Sequence, residues 1–390
     1  MPVLRYKIYS RGLKKRTVVR RTVIQLLPAM QAGGVERSTI EIAAALTLRG
    51  HRAVVVSAGG RLVDDLIACG AEHVTLDIGR KALFSLRHVR TLLCVMRTLT
   101  SSDIIHARSR LPAWLGWLAY CCLPDAKRPH WITTAHGLYS PNRYSAIMTT
   151  GEKVICVSNT VRSALIKQYP RLDPQRTRVI HRGVSTEQFP YRAHPNPDAQ
   201  RWVRQWIPKL PDHALLLLLP GRGTRLKGHQ DAIDLLSILH AHGVIAHVWC
   251  LGAQQQGREV YVEALIRYAQ DRHVEHALTI SPMTKDIALA YAASDCVLQL
   301  SRRPEAFGRT VLEALAVGRP VVGWGHGGVG ELLEKFYPQG SVPPFDIDAL
   351  ATTLRTLCKD RSRLCIPLRT IPYTLHAMQS HTLSLYDALS

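Results

Sequence analysis

Residues 215–243, LLLLLPGRGTRLKGHQDAIDLLSILHAHG, combine a wholly apolar run, a glycine-rich turn and a helical pattern. Five consecutive leucines, Leu215–Leu219, are typical of a strand buried on both faces of a parallel sheet. The turn Gly221–Gly228 follows at once, and His229–His242 has the apolar spacing of a helix. A strand that leads through a tight turn into a helix is the repeating unit of an open α/β sheet. We therefore expect a doubly wound domain to begin near residue 214.

Short β-branched or apolar runs alternate with longer helical patterns on both sides of this stretch. Upstream strands are expected at Val23–Leu27, Ala53–Ser57, Val74–Leu76, Ile104–His106, Trp131–Thr134, Lys153–Val157 and Arg178–Ile180, and downstream strands at Ala246–Leu251, Leu278–Ile280, Cys296–Leu300 and Pro320–Trp324. Helical patterns fill the intervals, from Val35–Leu48 to Arg309–Val317. Such alternation implies βαβ units and parallel sheets. Because 390 residues exceed the size of one core, the fold class is α/β, with two doubly wound Rossmann-like domains.

The chain divides into five segments. Pro190, Pro195, Pro197, Pro208 and Pro211 cluster between the two alternating regions, as is typical of a linker. We assign residues 1–21 to a basic N-terminal segment, 22–185 to an N-terminal domain, 186–213 to the linker region, 214–365 to a C-terminal domain, and 366–390 to a helical segment returning to the N-terminal domain.

Positive charge is concentrated in the first half of the chain. Lys and Arg total 50 against 29 Asp and Glu, a formal net charge of +21. Residues 1–190 carry 29 basic and 11 acidic side chains, and the first 21 residues hold eight basic side chains without an acid. This excess of positive charge in the first half of the chain indicates an anionic partner, such as a membrane surface, a phosphorylated substrate or nucleic acid. Eight basic groups at about 1 kcal/mol each can hold a protein at an anionic leaflet.

Cysteine spacing and hydropathy indicate the compartment. The nine cysteines show no Cys-x-x-Cys spacing, which suggests neither a zinc site nor a disulfide framework and fits a reducing cytoplasm. The longest apolar stretch, Leu111–Leu123, is shorter than the roughly 20 residues that a membrane span needs. We expect a cytoplasmic protein, peripheral on the inner face of the cell membrane.

Three glycine-containing motifs follow predicted strands, where ligands bind in such sheets. Gly33 and Gly34 open the first helix, and free N–H groups there can bind an anion; the alternative is a simple turn. In the turn Gly221–Gly228, Arg222 and Lys227 are five residues apart and can clamp a diphosphate. Gly228 stands where a P-loop would need Ser or Thr, so that motif is excluded.

The third motif, PEAFGRTVLEAL at residues 304–315, is the most specific. Glu305 precedes a helix, and the N–H groups at Phe307–Arg309 point towards any anion beside it. Glu313 lies near the middle of that helix among apolar residues, a poor setting for a solvated charge. A carboxylate beside an anion-binding helix terminus suits a ligand that offers both hydroxyls and phosphates.

These motifs, in this order, resemble the retaining glycosyltransferases of family four, of GT-B fold, from about residue 22 to the C-terminus. The resemblance implies two domains facing a cleft, with residues 22–185 as the acceptor-side domain and residues 214–365 as the nucleotide-sugar-binding domain. It implies that Arg222 and Lys227 neutralise a nucleotide diphosphate, that Glu305 holds the transferred sugar, and that Glu313 takes the ribose hydroxyls. It further implies that the backbone N–H groups of Phe307 and Gly308 serve the same ligand and that the Gly33-Gly34 loop closes over the diphosphate.

The same resemblance selects His136, in Thr134-Ala135-His136-Gly137, as a group that contacts the donor sugar or the reacting centre. Composition alone favours a structural histidine there. Where the family often has Asn-Gly-Val-Asp, this chain has Arg182-Gly183-Val184-Ser185. Asp346-Ile347-Asp348 matches the Asp-x-Asp metal motif of another transferase fold, but Asp348 is better explained as a helix N-cap.

The resemblance therefore implies a metal-independent hexosyltransferase without a cofactor, whose substrate is a sugar linked to a nucleotide diphosphate, UDP or GDP. The acceptor is expected to be an anionic saccharide or glycolipid, with lipopolysaccharide or another envelope glycan as the product, and the partner an anionic membrane surface. Nucleic acid is not expected, because aromatic residues make only 6% of the chain and no recognition motif appears. A sugar-nucleotide epimerase, a phosphorylase, an inactive transferase relative and a basic nucleic-acid-binding protein remain alternatives.

Overall fold

The computed structural model describes residues 20–31, 33–80, 87–192, 196–359 and 371–389. Within these ranges the chain forms a seven-stranded and a six-stranded sheet, both wholly parallel. The prediction of two doubly wound α/β domains is therefore confirmed. We call the first sheet with its helices the N-terminal domain and the second sheet with its helices the C-terminal domain.

The first sheet has the strand order β3-β2-β1-β4-β5-β6-β7. Its strands are β1 (Thr22–Leu26), β2 (Arg52–Ser57), β3 (Glu72–Thr75), β4 (Ile104–Ala107), β5 (His130–Ala135), β6 (Lys153–Cys156) and β7 (Thr177–Val179). The helices between them are α1 (Gly34–Leu48), α2 (Val63–Ala68), α3 (Arg87–Met96), α4 (Arg110–Cys121), α5 (Arg143–Ala146) and α6 (Asn159–Gln168). The order reverses between β1 and β4, so the ligand crevice of this domain is expected at their carboxyl ends.

The second sheet has the order β10-β9-β8-β11-β12-β13. Its strands are β8 (Leu215–Leu218), β9 (Ala246–Leu251), β10 (Leu278–Ser281), β11 (Cys296–Gln299), β12 (Val321–Trp324) and β13 (Ser341–Val342). Helix α7 (Pro197–Val203) precedes it, and its other helices are α8 (His229–Ala241), α9 (Glu259–Gln270), α10 (Ile287–Ala293), α11 (Arg309–Val317), α12 (Gly327–Phe336) and α13 (Ile347–Cys358), with α14 (Leu375–Asp387) after them.

The leucine run at β8 shows why the second sheet forms. Leu215 and Leu217 belong to the apolar cluster on one face, whereas Leu216 and Leu218 belong to the cluster on the other. All four are 3% exposed or less. Because successive strand residues point to opposite faces, only an apolar run can occupy a strand covered by helices on both sides. The prediction of a strand buried on both faces is confirmed.

The sequence patterns missed four elements, the short helix α5 among them, and misplaced one cap. Helix α7 lies inside the proline-rich region, where Asn196 caps it by accepting from the N–H groups of Asp198 and Ala199. Helix α12 opens with Gly327 and Gly328, which are poor helix formers, and β13 has only two residues. Helix α13 is capped by Asp346, which accepts from Ala349 at 2.8 Å. The prediction of Asp348 as the N-cap was therefore wrong.

Helix α14 returns to the N-terminal domain and packs beside α1. Met378, Leu383 and Tyr386 join the apolar cluster of Val23 and Ile42. The Tyr386 hydroxyl hydrogen-bonds Nδ1 of His106 at 2.7 Å, on β4. In the part of the chain that the structure describes, no helix is both long and apolar enough to cross a membrane.

Candidate active site between the two domains

Lys227 and Glu305, predicted to bind different parts of one ligand, are paired with each other. The Lys227 ammonium donates to Glu305 Oε1 at 2.6 Å, and the two side chains are 24% and 25% exposed. Ser301 and Gln299, at the end of β11, donate to the same oxygen. Burial alone would raise the pKa of Glu305, but Lys227 and these donors outweigh it and lower the pKa. The carboxylate is therefore ionised and directed towards the cation.

Arg222 does not share this arrangement. Its side chain is exposed, and among the described residues no hydrogen bond or ion pair to it is seen. Lys227 faces Glu305, and the predicted clamp formed by Arg222 and Lys227 stays a prediction. Both cations lie in the turn between β8 and α8, with Arg222 at its solvent side.

The turn that carries these cations is shaped by Gly228. This residue has φ +72°, and a Cβ placed on it would lie 2.1 Å from the carbonyl oxygen of Leu300. Only glycine meets both conditions, because L side chains disfavour positive φ and the carbonyl leaves no space. The close approach places the Lys227 turn beside the segment after β11, where Ser301 and Glu305 lie.

The N-terminus of α11 lies next to Glu305. Gly308 is its N-cap, with φ +95°, and Phe307 is 6% exposed and packs in the core. Across the described ranges, no backbone acceptor is seen for the amides of Phe307 and Gly308. Unpaired amides at a helix N-terminus attract anions, as the sequence suggested.

Glu313 is enclosed rather than open. It is 7% exposed and accepts from Arg309 Nε at 2.9 Å and from the Tyr291 hydroxyl at 3.1 Å. Arg309 also donates to Glu41 Oε1 of α1 at 2.9 Å, so it joins the two domains. Burial opposes the charge of Arg309, but Glu41 and Glu313 outweigh it and raise its pKa. Sequence reasoning missed both Arg309 and Glu41.

Gly33 and Gly34 stand at the exposed N-terminus of α1, the helix that carries Glu41. Arg37 of the same helix is close enough to Tyr291 for its charge to act on the pKa of that hydroxyl, which burial raises well above its usual range. Helix α1 therefore faces α10 and α11, and its glycine turn borders the space between the domains.

His136 follows β5 and is held by Arg182. Arg182 donates to His136 Nδ1, whereas the buried Nε2 has no partner among the described residues. Burial, together with the charges of Arg182 and Arg108, keeps the pKa of His136 well below its usual range. The ring is therefore neutral. Since Arg is only a donor, Nδ1 is the acceptor and the proton resides on Nε2.

The two domains are also joined through Glu331, which sequence reasoning missed. Glu331 on α12 accepts from the N–H groups of Asn159 (3.0 Å) and Thr160 (2.8 Å) at the start of α6, and from His181. Ser158 caps α6 by accepting from the Val161 N–H at 3.1 Å. Local sequence patterns do not reveal the contacts of Glu331, because its partners are more than 140 positions away in the sequence.

Two family models match the chain, one in each domain. The model described as Glycosyltransferase Family 4 matches residues 32–188, and the model described as Glycosyl transferases group 1 matches residues 200–369. A curated relative, the D-inositol 3-phosphate glycosyltransferase of Corynebacterium kroppenstedtii, is 25% identical over 298 residues. That alignment covers 67% of this chain and 61% of the relative, so the chain spans about three fifths of the relative's length.

Solved structures share the architecture of the whole chain. A glycosyltransferase from Rickettsia africae superposes with a TM-score of 0.80 at 26% identity, covering 95% of this chain and 98% of that one. Anabaena Alr3699/HepE, solved in complex with UDP-glucose, has a TM-score of 0.76 at 20% identity, with coverages of 94% and 99%. The predicted GT-B arrangement of the two domains is confirmed.

Proposed function

The chain belongs to glycosyltransferase family 4, and from this membership we propose that it is a retaining, metal-independent hexosyltransferase. It moves a sugar from a nucleotide diphosphate to an anionic or lipid-linked saccharide, in the synthesis of lipopolysaccharide or another envelope glycan. Matching proteins support the substrate classes: the Anabaena protein was solved with UDP-glucose, and the curated relatives are named for D-inositol 3-phosphate.

The observation that carries the proposal is the Lys227–Glu305 pair beside the open amides of Phe307 and Gly308. A cation and free N–H groups suit the phosphates of a donor, and a carboxylate suits the hydroxyls of its sugar. Burying an ion pair of this kind costs desolvation free energy. A ligand that offers a phosphate to Lys227 and hydroxyls to Glu305 satisfies both groups at once.

In the proposed reaction the bond between the anomeric carbon and the diphosphate oxygen breaks, and an acceptor hydroxyl forms the new bond. Arg222 and Lys227 stabilise the charge that develops on the departing diphosphate, which is usually the largest catalytic effect. Glu305 holds the sugar, Glu313 the ribose, and the neutral His136 lies at the reacting centre. We assign no covalent nucleophile, so the acceptor attacks on the face from which the diphosphate leaves and its proton passes to that diphosphate.

Thermal-shift measurements with UDP-, GDP- and ADP-sugars test the donor assignment. A ligand that binds only the folded state stabilises it by about 2.7 kcal/mol at a hundred times its dissociation constant. One nucleotide should therefore raise the unfolding temperature, and the free sugar should not. Product analysis then separates transfer to an acceptor from epimerisation and phosphorolysis. Tight RNA binding without any response to sugar nucleotides would favour the nucleic-acid alternative.

We further propose that the protein binds the inner face of the cell membrane through its basic N-terminal segment. Most of that segment, residues 1–19, lies outside the described residues. Arg20 is exposed, but Arg21 is 6% exposed and donates to the Tyr386 carbonyl, so Arg21 does not serve a membrane. Co-sedimentation with anionic vesicles should weaken as salt rises, because screening shortens the attraction. Binding that ignores both lipid charge and salt would contradict this proposal.

A further inference from the structure

Two arginines lie at the carboxyl edge of the first sheet without a carboxylate partner of their own. Arg108 directly follows β4 and is 2% exposed. Its guanidinium donates to Gln25 Oε1 at 2.8 Å and to Ser38 Oγ at 2.6 Å, and both of these acceptors are neutral. Its Nε is buried without a partner in the described part of the chain.

Arg182, three residues beyond β7, is the second of these arginines. Besides the N–H given to His136, its guanidinium has donors for which the described residues provide no acceptor. Burial and the charge of Arg108 lower the pKa of Arg182 to about 9. The two side chains are therefore near enough to repel each other. Arg108 is enclosed, whereas Arg182 is only half-buried.

Nearby negative charge offsets the two arginines only in part. Among the described residues, no carboxylate oxygen forms an ion pair with either guanidinium. Glu41 acts on both at longer range; its Oε1 pairs with Arg309 and its Oε2 is buried without a partner in the described residues, so one carboxylate serves three guanidinium groups. A buried charge without a partner is costly unless a ligand supplies one. The histidines beside them, His106 and His136, are neutral, since burial keeps the pKa of each well below its usual range.

The position of this cluster suits a ligand. Arg108 follows β4, beside β1, where the strand order of the first sheet reverses, and ligands of open α/β sheets bind at such a point. His136 adds the buried Nε2–H, a second donor without a partner in the described residues. The N–H groups of Arg182 and His136, together with the positive charge of Arg108, are the kind of groups that bind an oxyanion.

We propose that Arg182 and His136 Nε2, with Arg108 behind them, form a subsite for an anionic group of the acceptor, a phosphate or a carboxylate. The inference rests on the proposed function, since it places the acceptor in the N-terminal domain opposite the Lys227–Glu305 pair. The inference also specifies the acceptor class. The anionic group that the subsite binds is part of the acceptor saccharide itself and is distinct from the charged lipids of the membrane.

Isothermal titration calorimetry of the whole chain, saturated with UDP so that the diphosphate site is filled, tests the subsite. (GDP replaces UDP if GDP is the nucleotide that stabilises the fold.) The probes are D-inositol 3-phosphate, inorganic phosphate and uncharged inositol. We expect the wild-type chain to bind both phosphates and to bind uncharged inositol at least tenfold more weakly. Arg182→Gln should weaken phosphate binding about tenfold or more, as loss of one charge-assisted hydrogen bond predicts.

Two further variants and one measurement isolate the effect. Arg178→Gln removes an exposed arginine from β7 of the same segment and should leave phosphate binding unchanged. Arg182→Lys keeps the charge and should retain part of the affinity. The affinity of Arg182→Gln for UDP reports that the variant is folded, and it should match the wild-type value.

The other possible outcomes of this titration contradict either the anion subsite or the proposed function, and they can be told apart. If UDP binds and sugar is transferred, but wild-type and Arg182→Gln chains bind the phosphates equally or not at all, the subsite is refuted and the proposed function stands. If phosphate displaces UDP instead of binding beside it, the anion belongs to the donor and the subsite is again refuted. If no sugar nucleotide binds, the proposed function itself fails.

Discussion

At the scale of single residues, the Lys227–Glu305 pair is electrically balanced before any ligand arrives. Lys227 and Glu305 neutralise each other at 2.6 Å, whereas Glu313 and Glu41 share the single positive charge of Arg309. A nucleotide sugar brings negative charge to this site. Its phosphates must therefore draw Lys227 away from Glu305 or share it, while the sugar hydroxyls replace the ammonium at the carboxylate.

Lys227→Ala tests this balance. Removing the ammonium takes away a donor to the leaving diphosphate, so we expect turnover to fall about 10²–10³-fold. It also leaves only the hydrogen bonds from Ser301 and Gln299 to oppose burial at Glu305, so the pKa of Glu305 should rise and move the acidic limb of the activity profile to higher pH. Initial rates with a saturating sugar nucleotide, measured from pH 4 to pH 8 (about one unit per step), follow both effects.

Arg225→Ala is the control, because Arg225 is an exposed cation of the same turn. It should keep turnover within about twofold, as expected of an exposed side chain away from the reacting groups. Near-normal turnover of Lys227→Ala would show that the diphosphate clamp is wrong.

At the scale of elements, a few close backbone contacts set the geometry. Gly228 joins the Lys227 turn to α8 at a position where its own backbone meets that of Leu300. Gly243, after α8, has nearly the same backbone angle, φ +74°, but a Cβ on it would meet nothing within 4 Å. The two glycines thus differ in the space around them and not in conformation.

Gly228→Ala and Gly243→Ala separate strain from steric conflict. Gly243→Ala should cost about 1 kcal/mol of unfolding free energy, the penalty of positive φ alone. Gly228→Ala should cost about 3 kcal/mol or more and weaken nucleotide binding, because the turn must move away from Leu300. Urea unfolding and nucleotide titration measure the two effects, and equal losses in the two variants would contradict the contact with Leu300.

Helices α1 and α11 are joined by Arg309, which holds a carboxylate on each side. Arg309→Met leaves Glu41 and Glu313 buried without their cation, so we expect a loss of about 3–5 kcal/mol. Arg52→Met breaks a pair with Glu72 whose side chains are 44% and 53% exposed, and should cost under about 1 kcal/mol. The comparison is made by urea unfolding. A loss as small for Arg309→Met as for Arg52→Met would mean that the bridge contributes little.

The sequence predicted the local features of the fold but not the contacts between residues that are distant in the sequence. Regular alternation revealed the strands and helices, since period and apolar runs are local properties; Ala246–Leu251 and Arg309–Val317 were predicted to the residue. Motif positions at the strand ends also followed from local sequence. Glu331, Arg309 and Glu41 could not be found in this way, because each acts on a partner in the other domain. The Lys227–Glu305 pair lies within one domain, but its members are 78 positions apart in the sequence, a separation that local patterns do not span.

At the scale of the whole molecule, Glu331 ties the domains together near the linker. Its carboxylate accepts from the N-terminus of α6, and from His181. Burial would raise the pKa of Glu331, but these hydrogen bonds outweigh it and lower the pKa to about 2. The ionised form is thus favoured by the docked arrangement of the two domains.

The stability of the docked arrangement should therefore depend on pH. A lowered folded-state pKa means that the contribution is complete above the unfolded value, near 4.5, and is lost as pH falls towards about 2. The difference corresponds to roughly 3 kcal/mol. Glu331→Gln should remove most of this contribution at neutral pH and flatten the acid limb of stability between pH 4.5 and about 2. Thermal unfolding of both chains across this range is the measurement, and parallel curves would refute the role of Glu331.

Helix α14 has a consequence for the order in which the protein is made. The apolar core of the N-terminal domain includes Met378, Leu383 and Tyr386, which leave the ribosome roughly 200 residues after β7 does. The domain that is synthesised first can therefore complete its core only after the second domain has emerged. Until then the surface of α1 stays uncovered. We expect nascent chains stalled before residue 375 to be cleaved by proteases within the N-terminal domain, and chains that extend past residue 387 to resist them.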